Sequence, residues 1–376
     1  MLSDDDVERM GEEASEAMTA MEAAMLAAAA SALASLGSLD ARSSNRSAVA
    51  LMAKLRAILA AHARAVDDAV SRDLTGAVLL DALTEAERIA GASAAASLAE
   101  RGVDAADAVA AAQAEVRAMG QEMAESCRGV YLDAVAQARR DVARMGHARA
   151  MERAVSRMAR QGLTAYTYKR RGPGGSMVTV RVPVDVGVRR AITNSGLQAM
   201  MREERAMAER HGLDLVEVNI TPNARPSHAD WQGRIYSLSG DHPDYPKFDE
   251  ACRVGDLVNG IGGYNCKHRY AVTVEGAKQV FRDPLEGTGY TPDEARAAVS
   301  KQRRLENEIR KAKRLRETLK SQGLDTTDAE RRVRARQKAL RDHIAEHPKL
   351  LHRERPRERI YGKAMAKAAE LGALNG

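Results

Sequence analysis

The stretch "TAYTYKRRGPGGSMVTVRVPVDVGV", residues 164–188, is where the chain changes its periodicity. Val178, Val180, Val182, Val184, Val186 and Val188 alternate strictly, and a period of two is the mark of a β-strand with one face buried. "GPGG" at 172–175 supplies turn residues just before them. A β-hairpin is therefore expected, running on to Val188. What lies on either side of it sets the fold class.

Upstream, no proline occurs before Pro173, and alanine, glutamate, leucine, methionine and arginine dominate, all strong helix formers. In "AVALMAKLRAILAAHARAVDDAV" the residues Leu51, Leu55, Ile58, Leu59, His62, Val66 and Val70 recur at three and four, which gives one apolar stripe. His62 on that stripe reads as a helix-packing residue. Residues 1–160 are expected to form an alanine-rich helical arm or bundle. Aromatics make up only 3% of the chain while apolar residues make up 44%, so much of any core here must be small aliphatic side chains.

Downstream, "RRAITNSGLQAMMREERAMAERHG" returns to helical spacing and ends at Gly212, and "LDLVEVNIT" reads as a strand with Val216, Val218 and Ile220 on one face. Residues 161–290 are thus a small mixed α/β domain. Eight of the twelve aromatics fall between 231 and 290, where many glycines and prolines also indicate loops. From Thr291, "TPDE" is a capping box with proline at the first helical position. Leu305, Ile309, Ala312, Leu315 and Leu319 then form a narrow seam, Gly323 breaks the helix, and Thr327 to Glu330 offers a second capping box. Residues 291–376 read as a basic helical hairpin and tail. The whole is an α+β fold.

The net charge of +6 conceals an asymmetry: residues 301–376 carry +11, so residues 1–300 carry −5. A basic block of this kind points to nucleic acid, an acidic protein face or a solvated helix surface. Its helices lack the interleaved aromatics that stack on single-stranded bases. The three cysteines, Cys127, Cys252 and Cys266, are no disulfide framework, which fits a reducing cytosol. "MEAAMLAAAASALASLG" is apolar but shorter than the ~20 residues a membrane span needs, and "MLSDDDVERM" before it is acidic where a signal peptide is basic, so no membrane is expected.

The middle region gathers His228, Cys252, Cys266 and His268, and two thiols with two imidazoles suit tetrahedral zinc. Cys266 and His268 stand two apart, on one face if "NCKHRYAVTV" is a strand. The alternative is that Cys266 is a small buried hydrophobe while His228, Asp230 and His268 hydrogen-bond loop backbone. A hydrolase would use Cys266 as nucleophile with His228 or His268 as base, or His228 and Asp230 on a metal. No nucleophile elbow, phosphate-binding glycine loop or paired-carboxylate constellation accompanies them, and no small-molecule substrate is indicated.

Four stretches in order, "GLDLVEVNITPNARPSHADWQGRIYSLSG", "YPKFDEAC", "GYNCKHRY" and "TPDEARAAVSKQRRLENEIRKAKR", resemble phage minor capsid proteins of the minor capsid protein 2 kind, relatives of the Mu F-type head-morphogenesis proteins. His228, Trp231, Gln232 and Gly233 match the "H..WQG" element, and Asn265, Cys266 and His268 match the "NC.H" element, with Lys267 where the pattern has arginine. The resemblance covers about residues 160–345. It implies a structural, non-enzymatic virion protein without a cofactor, made in the bacterial cytoplasm and assembled in few copies at or near the portal vertex. Partners would be the portal or major capsid proteins, with non-specific contact to packaged DNA as the alternative. On the C-terminal hairpin, Arg310, Lys313, Arg314, Leu315 and Leu319 are the expected partner-binding residues, because the narrow seam calls for another surface to cover it.

Overall fold

The computed structural model describes residues 7, 9–36, 40–90, 106–171 and 175–360. Among these residues four long helices come first: α1 (Glu12–Ala34), α2 (Ala41–Ala90), α3 (Ala106–Met145) and α4 (His147–Gln161). A hairpin of β1 (Thr164–Arg171) and β2 (Met177–Pro183) follows, then α5 (Val184–His211). A three-stranded antiparallel sheet has β3 (Leu215–Val218) at its centre, flanked by β4 (Ile235–Ser237) and β5 (Tyr270–Thr273). Between β4 and β5 lies the one-turn helix α6 (Phe248–Ala251); α7 (Pro292–Ser321) and α8 (Thr327–Glu346) follow, and a 3₁₀ turn, Pro356–Glu358, comes last among the described residues.

The first helices form a bundle. Met18, Met25 and Leu26 of α1, Leu51 and Leu55 of α2, and Met123 of α3 are fully or almost fully buried in one core. Its only buried aromatic is Tyr131 among the described residues, so methionine and leucine fill the volume and alanine sets close helix spacing. The stripe read from α2 faces this core through Leu51, Leu55, Val66 and Val70, and His62 is half-buried, its Nδ1 2.9 Å from the Ile58 carbonyl. By length and composition α1 could cross a membrane, but its apolar side chains are mostly turned into the bundle.

The N-cap of α1, Gly11, has no side chain to satisfy the first N–H groups. Asp73 of α2 takes that role, accepting from the Ala14 N–H at 2.9 Å. Burial, with Glu13 nearby, pushes Asp73 up to about 6 despite the Ala14 bond and Arg189. Because the folded pKa lies above the ordinary value, the native state holds this proton more tightly, and stability is lost as pH rises from about 4 through 6. Asp73→Asn should therefore be more stable than the parent by about 1–2 kcal/mol at about pH 8 and equal to it near pH 4. Thermal unfolding of both proteins at both pH values checks this; an equal difference at the two would assign it to the cap geometry instead.

The hairpin is present, but its second strand is shorter than the valine alternation implies. Strand pairing ends at Thr164↔Pro183, and Val184, Val186 and Val188 belong to α5. Pro183 ends the strand: it offers no N–H to a ladder, and it serves as N-cap in an extended conformation (φ −61°, ψ 152°). Val184 and Val188 are then four apart on one helical face, both fully buried. Residues 172–174 of the "GPGG" turn lie outside the described residues, as does the tail from 361.

Helix α5 joins two cores. Its first half packs in the bundle through Val188 and Ile192, and its end contributes Met207 and Ala208 to a second core under the sheet. That core holds Val216, Val218, Trp231, Tyr236, Phe248 and Tyr270 among others, so the aromatic window does mark a separate hydrophobic centre. All four residues of β3 are buried, while Ile220 lies beyond the strand. Glu217, inside β3, is buried because its carboxylate accepts from the Val280 and Phe281 N–H groups at 2.7 and 3.1 Å.

The capping box at Thr291 is formed, with the Thr291 hydroxyl and Glu294 carboxylate each accepting from the other's backbone N–H. The second one, expected at Thr327–Glu330, is not. Helix α8 starts at Thr327 itself, its N-cap Thr326 makes no side-chain cap bond, and Asp325 instead accepts from the Thr327 N–H at 2.9 Å.

The expectation that α7 needs a foreign surface is corrected by the fold. Leu315 and Leu319 are buried in the same core as α1 to α5, so the bundle core continues past the boundary expected at residue 291. Arg310 and Arg314 are buried as well, part of a polar stripe of Gln302, Glu306, Arg310, Arg314 and Thr318 at four-residue spacing. Arg310 Nε lies 2.5 Å from Asp185 Oδ2 of α5, an ion pair by proximity rather than an aligned hydrogen bond, and Arg314 Nη2 lies 3.1 Å from Glu22 Oε2 of α1. Lys313 donates to the Glu358 carbonyl at 2.6 Å. The five residues expected to bind a partner hold the chain's own helices together.

Candidate functional site

The two sequence elements singled out above meet at one end of the small sheet. A 3₁₀ turn, Pro226–Trp231, carries His228 and Trp231, and Pro226 opens it with its fixed φ. Gln232 and Gly233 then lead back towards β4. Gly233 adopts φ +65° and returns its N–H to the Val218 carbonyl at 2.9 Å; a side chain there would be strained and would press on Ile220. On the other element, Asn265 sits at φ +59°, a left-handed turn that asparagine tolerates, and turns the chain so that Cys266 and His268 face inward.

Cys266 and His268 do not lie on a strand, since β5 starts only at Tyr270. They are brought together by the turn instead, with the His268 N–H donating to Cys266 Sγ at 3.4 Å. His228, Cys266 and His268 are all buried and form one tight group: Nδ1 to Nδ1 is 3.4 Å, and Cys266 Sγ is 3.6 Å from each Nδ1. These three could hold a metal ion. Cys252, the fourth residue of the expected tetrad, stands outside the group. Its thiol shares a hydrogen bond with Tyr236 and is pushed up to about 12 by burial.

The surroundings fix the group's chemistry. Trp231 stacks on His228 with ring centroids 4.2 Å apart, and its edge meets His268. Burial and the charge of Arg225 push His228 down to about 4, while burial and then His228 and Arg225 push His268 to about 3. Both rings are therefore neutral at neutral pH. Burial raises the Cys266 thiol, against the backbone N–H groups of His268 and Gly262 that favour its anion. A protonated thiol that is 3% exposed lacks the features of an attacking nucleophile. Asp230, the other acid weighed for a metal, does not belong to the group.

One residue matters more than its sequence context suggested. Gln232 Oε1 accepts from the Thr221 N–H at 2.7 Å, which fixes the amide's orientation, and the same oxygen lies 3.2 Å from His268 Nε2. Only its place beside Trp231 in the "H..WQG" element hinted at this. Arg225 was also missed: its guanidinium donates to the carbonyls of Val258 and Tyr264 and fastens the 254–264 loop over the site. That loop exposes Val254, Leu257, Val258 and Tyr264 to solvent.

His228, Trp231, Cys266 and His268 thus face inward, with Gln232 and Gly233 partly buried and Asn265 exposed at the turn, on a mostly helical body, an arrangement suited to architecture. A family model described as phage minor capsid protein 2 matches residues 38–345. The chain belongs to that family and is a phage minor capsid protein, a component of the virion. The match begins well before the hairpin, so the alanine-rich helices α2 to α4 share in it along with the motif-bearing region. No curated protein and no solved structure matches the chain.

Proposed function

We propose that this protein is a structural part of the phage head, held at the portal or the inner face of the shell and used in head assembly, with no turnover of its own. The family match over residues 38–345 carries this reading. Its partners are the portal or major capsid protein, and it is made in the bacterial cytoplasm before assembly. With Leu315 and Leu319 enclosed, the contact surface lies elsewhere. The exposed apolar side chains of the 254–264 loop are the best-placed surface, since single loops seldom expose Val254, Leu257, Val258 and Tyr264 together without a use.

Contact with packaged DNA through α8 is the weaker reading. Arg331, Arg332, Arg334 and Lys338 are exposed there, but each pairs with an acid one turn away, Asp328, Glu330 or Asp342, which flattens the positive field. Mass spectrometry of purified virions and assembly intermediates tests the main reading, and absence from both would sink it. Leu257→Asp with Val258→Asp should lower incorporation into heads about tenfold or more, since each places a charge in a closed contact. Arg331→Gln with Arg334→Gln should leave incorporation nearly unchanged. The reverse pattern would favour DNA.

A further inference from the structure

We propose that the protein binds one zinc ion between His228 Nδ1, His268 Nδ1 and Cys266 Sγ, and that this ion staples the 3₁₀ turn to the segment before β5. The distances carry the inference. With zinc bonds of about 2.0–2.1 Å to nitrogen and about 2.3 Å to sulfur, a tetrahedron sets N···N at about 3.4 Å and N···S at about 3.6 Å. The three separations here are 3.4, 3.6 and 3.6 Å. As a hydrogen bond the N···N contact is long, beyond the usual 2.7–3.2 Å range. The three donor atoms thus already stand where a single tetrahedral ion between them would need them.

The hydrogen-bond partners of His268 are a second and independent observation. Because the Thr221 N–H donates to Gln232 Oε1, that oxygen is an acceptor, so the proton on His268 sits on Nε2 and donates to it. The lone pair of Nδ1 is thereby aimed into the group. A carbonyl that receives the distal N–H of a ligating histidine orients the ring and raises its donor strength. The His268 backbone N–H on Cys266 Sγ favours the thiolate in the same way. Binding displaces the Cys266 thiol proton to solvent, so no oxidant or reductant takes part.

Zinc suits the donor set better than other ions: calcium and magnesium require oxygen ligands, and a thiolate with two imidazoles is a borderline-soft set. Among the described residues no fourth His, Cys, Asp or Glu joins the group, so the protein supplies three ligands. His228 and Cys266 are 38 residues apart, with β4 and α6 between them. Closing that loop with a metal is what a small core made of loops needs.

The test uses the untagged full-length chain from cells grown with added zinc. Elemental analysis should find about one zinc per chain. Cys252→Ser should keep it, and Cys266→Ser or His268→Ala should lose it. Replacement by cobalt in the unaltered chain should give the visible bands of a tetrahedral ion and a thiolate charge-transfer band, a readout that does not depend on any variant folding. A folded chain that retains no zinc and takes up no cobalt would overturn the proposal, as would metal that persists in Cys266→Ser or disappears in Cys252→Ser. Either result would leave the protein's place in the phage head untouched.

Discussion

Trp231→Ala is expected to destabilise the sheet region by about 3–5 kcal/mol, as other large-to-small core changes do, while the helical bundle stays folded. Trp231 is 6% exposed, lies in the core with Val216, Val218, Phe248 and Tyr270, and covers one face of His228. The two cores share α5 but few side chains, which is why the loss should be local. Far-UV circular dichroism should stay near the parent's while the unfolding transition splits, the lower step belonging to the sheet. A single transition at an unchanged midpoint would mean that Trp231 packs loosely and serves a surface instead.

Arg314→Met should cost a similar amount, about 3–5 kcal/mol, because it strands Glu22 in the bundle core without its cation. Burial already raises Glu22 against the pull of Arg314 and of the Leu163 N–H, which donates to it at 2.8 Å. Gly162 shows how closely this pair is enclosed: it sits at φ +66°, and a Cβ there would come within 2.5 Å of the Arg314 guanidinium. Removing the arginine raises Glu22 further, so the variant's deficit should shrink as pH falls and Glu22 takes up a proton. Adding Glu22→Gln should restore most of the loss, since glutamine can still accept from Leu163. A double variant no more stable than Arg314→Met alone would show that packing, not charge, sets the cost.

Much of the architecture was legible from periodicity and turn chemistry. The three-four stripe of α2, the Thr291 capping box and the aromatic window each correspond to what is seen, because each is a local pattern whose cause is local. The strand overrun to Val188 shows where such a pattern misleads: residues alternating at two are also four apart, so the same valines satisfy a helix once Pro183 begins one. The fate of α7 was not legible for another reason. Its arginines read as a solvated face because the acids that bury them, Glu22 and Asp185, lie 292 and 125 positions earlier. Only the −5 against +11 split between the two parts of the chain recorded that they belong together. At the site, which of two cysteines joins the histidines depended on the turn at Asn265, and spacing alone does not reveal it.

The placement of α7 also fixes the order in which the protein can be finished. Asp185 is held below the ordinary carboxylate range because Arg310, Arg314 and Arg189 together outweigh its burial, and two of those three arrive only with α7. On the ribosome the first helices emerge long before it, carrying carboxylates that cannot yet be buried as ions. The bundle core is therefore complete only once residues 310–319 have been made, because Leu315 and Leu319 belong to it. A chain cut short before α7 would lack Leu315 and Leu319 from that core and leave Glu22 and Asp185 without their α7 cations.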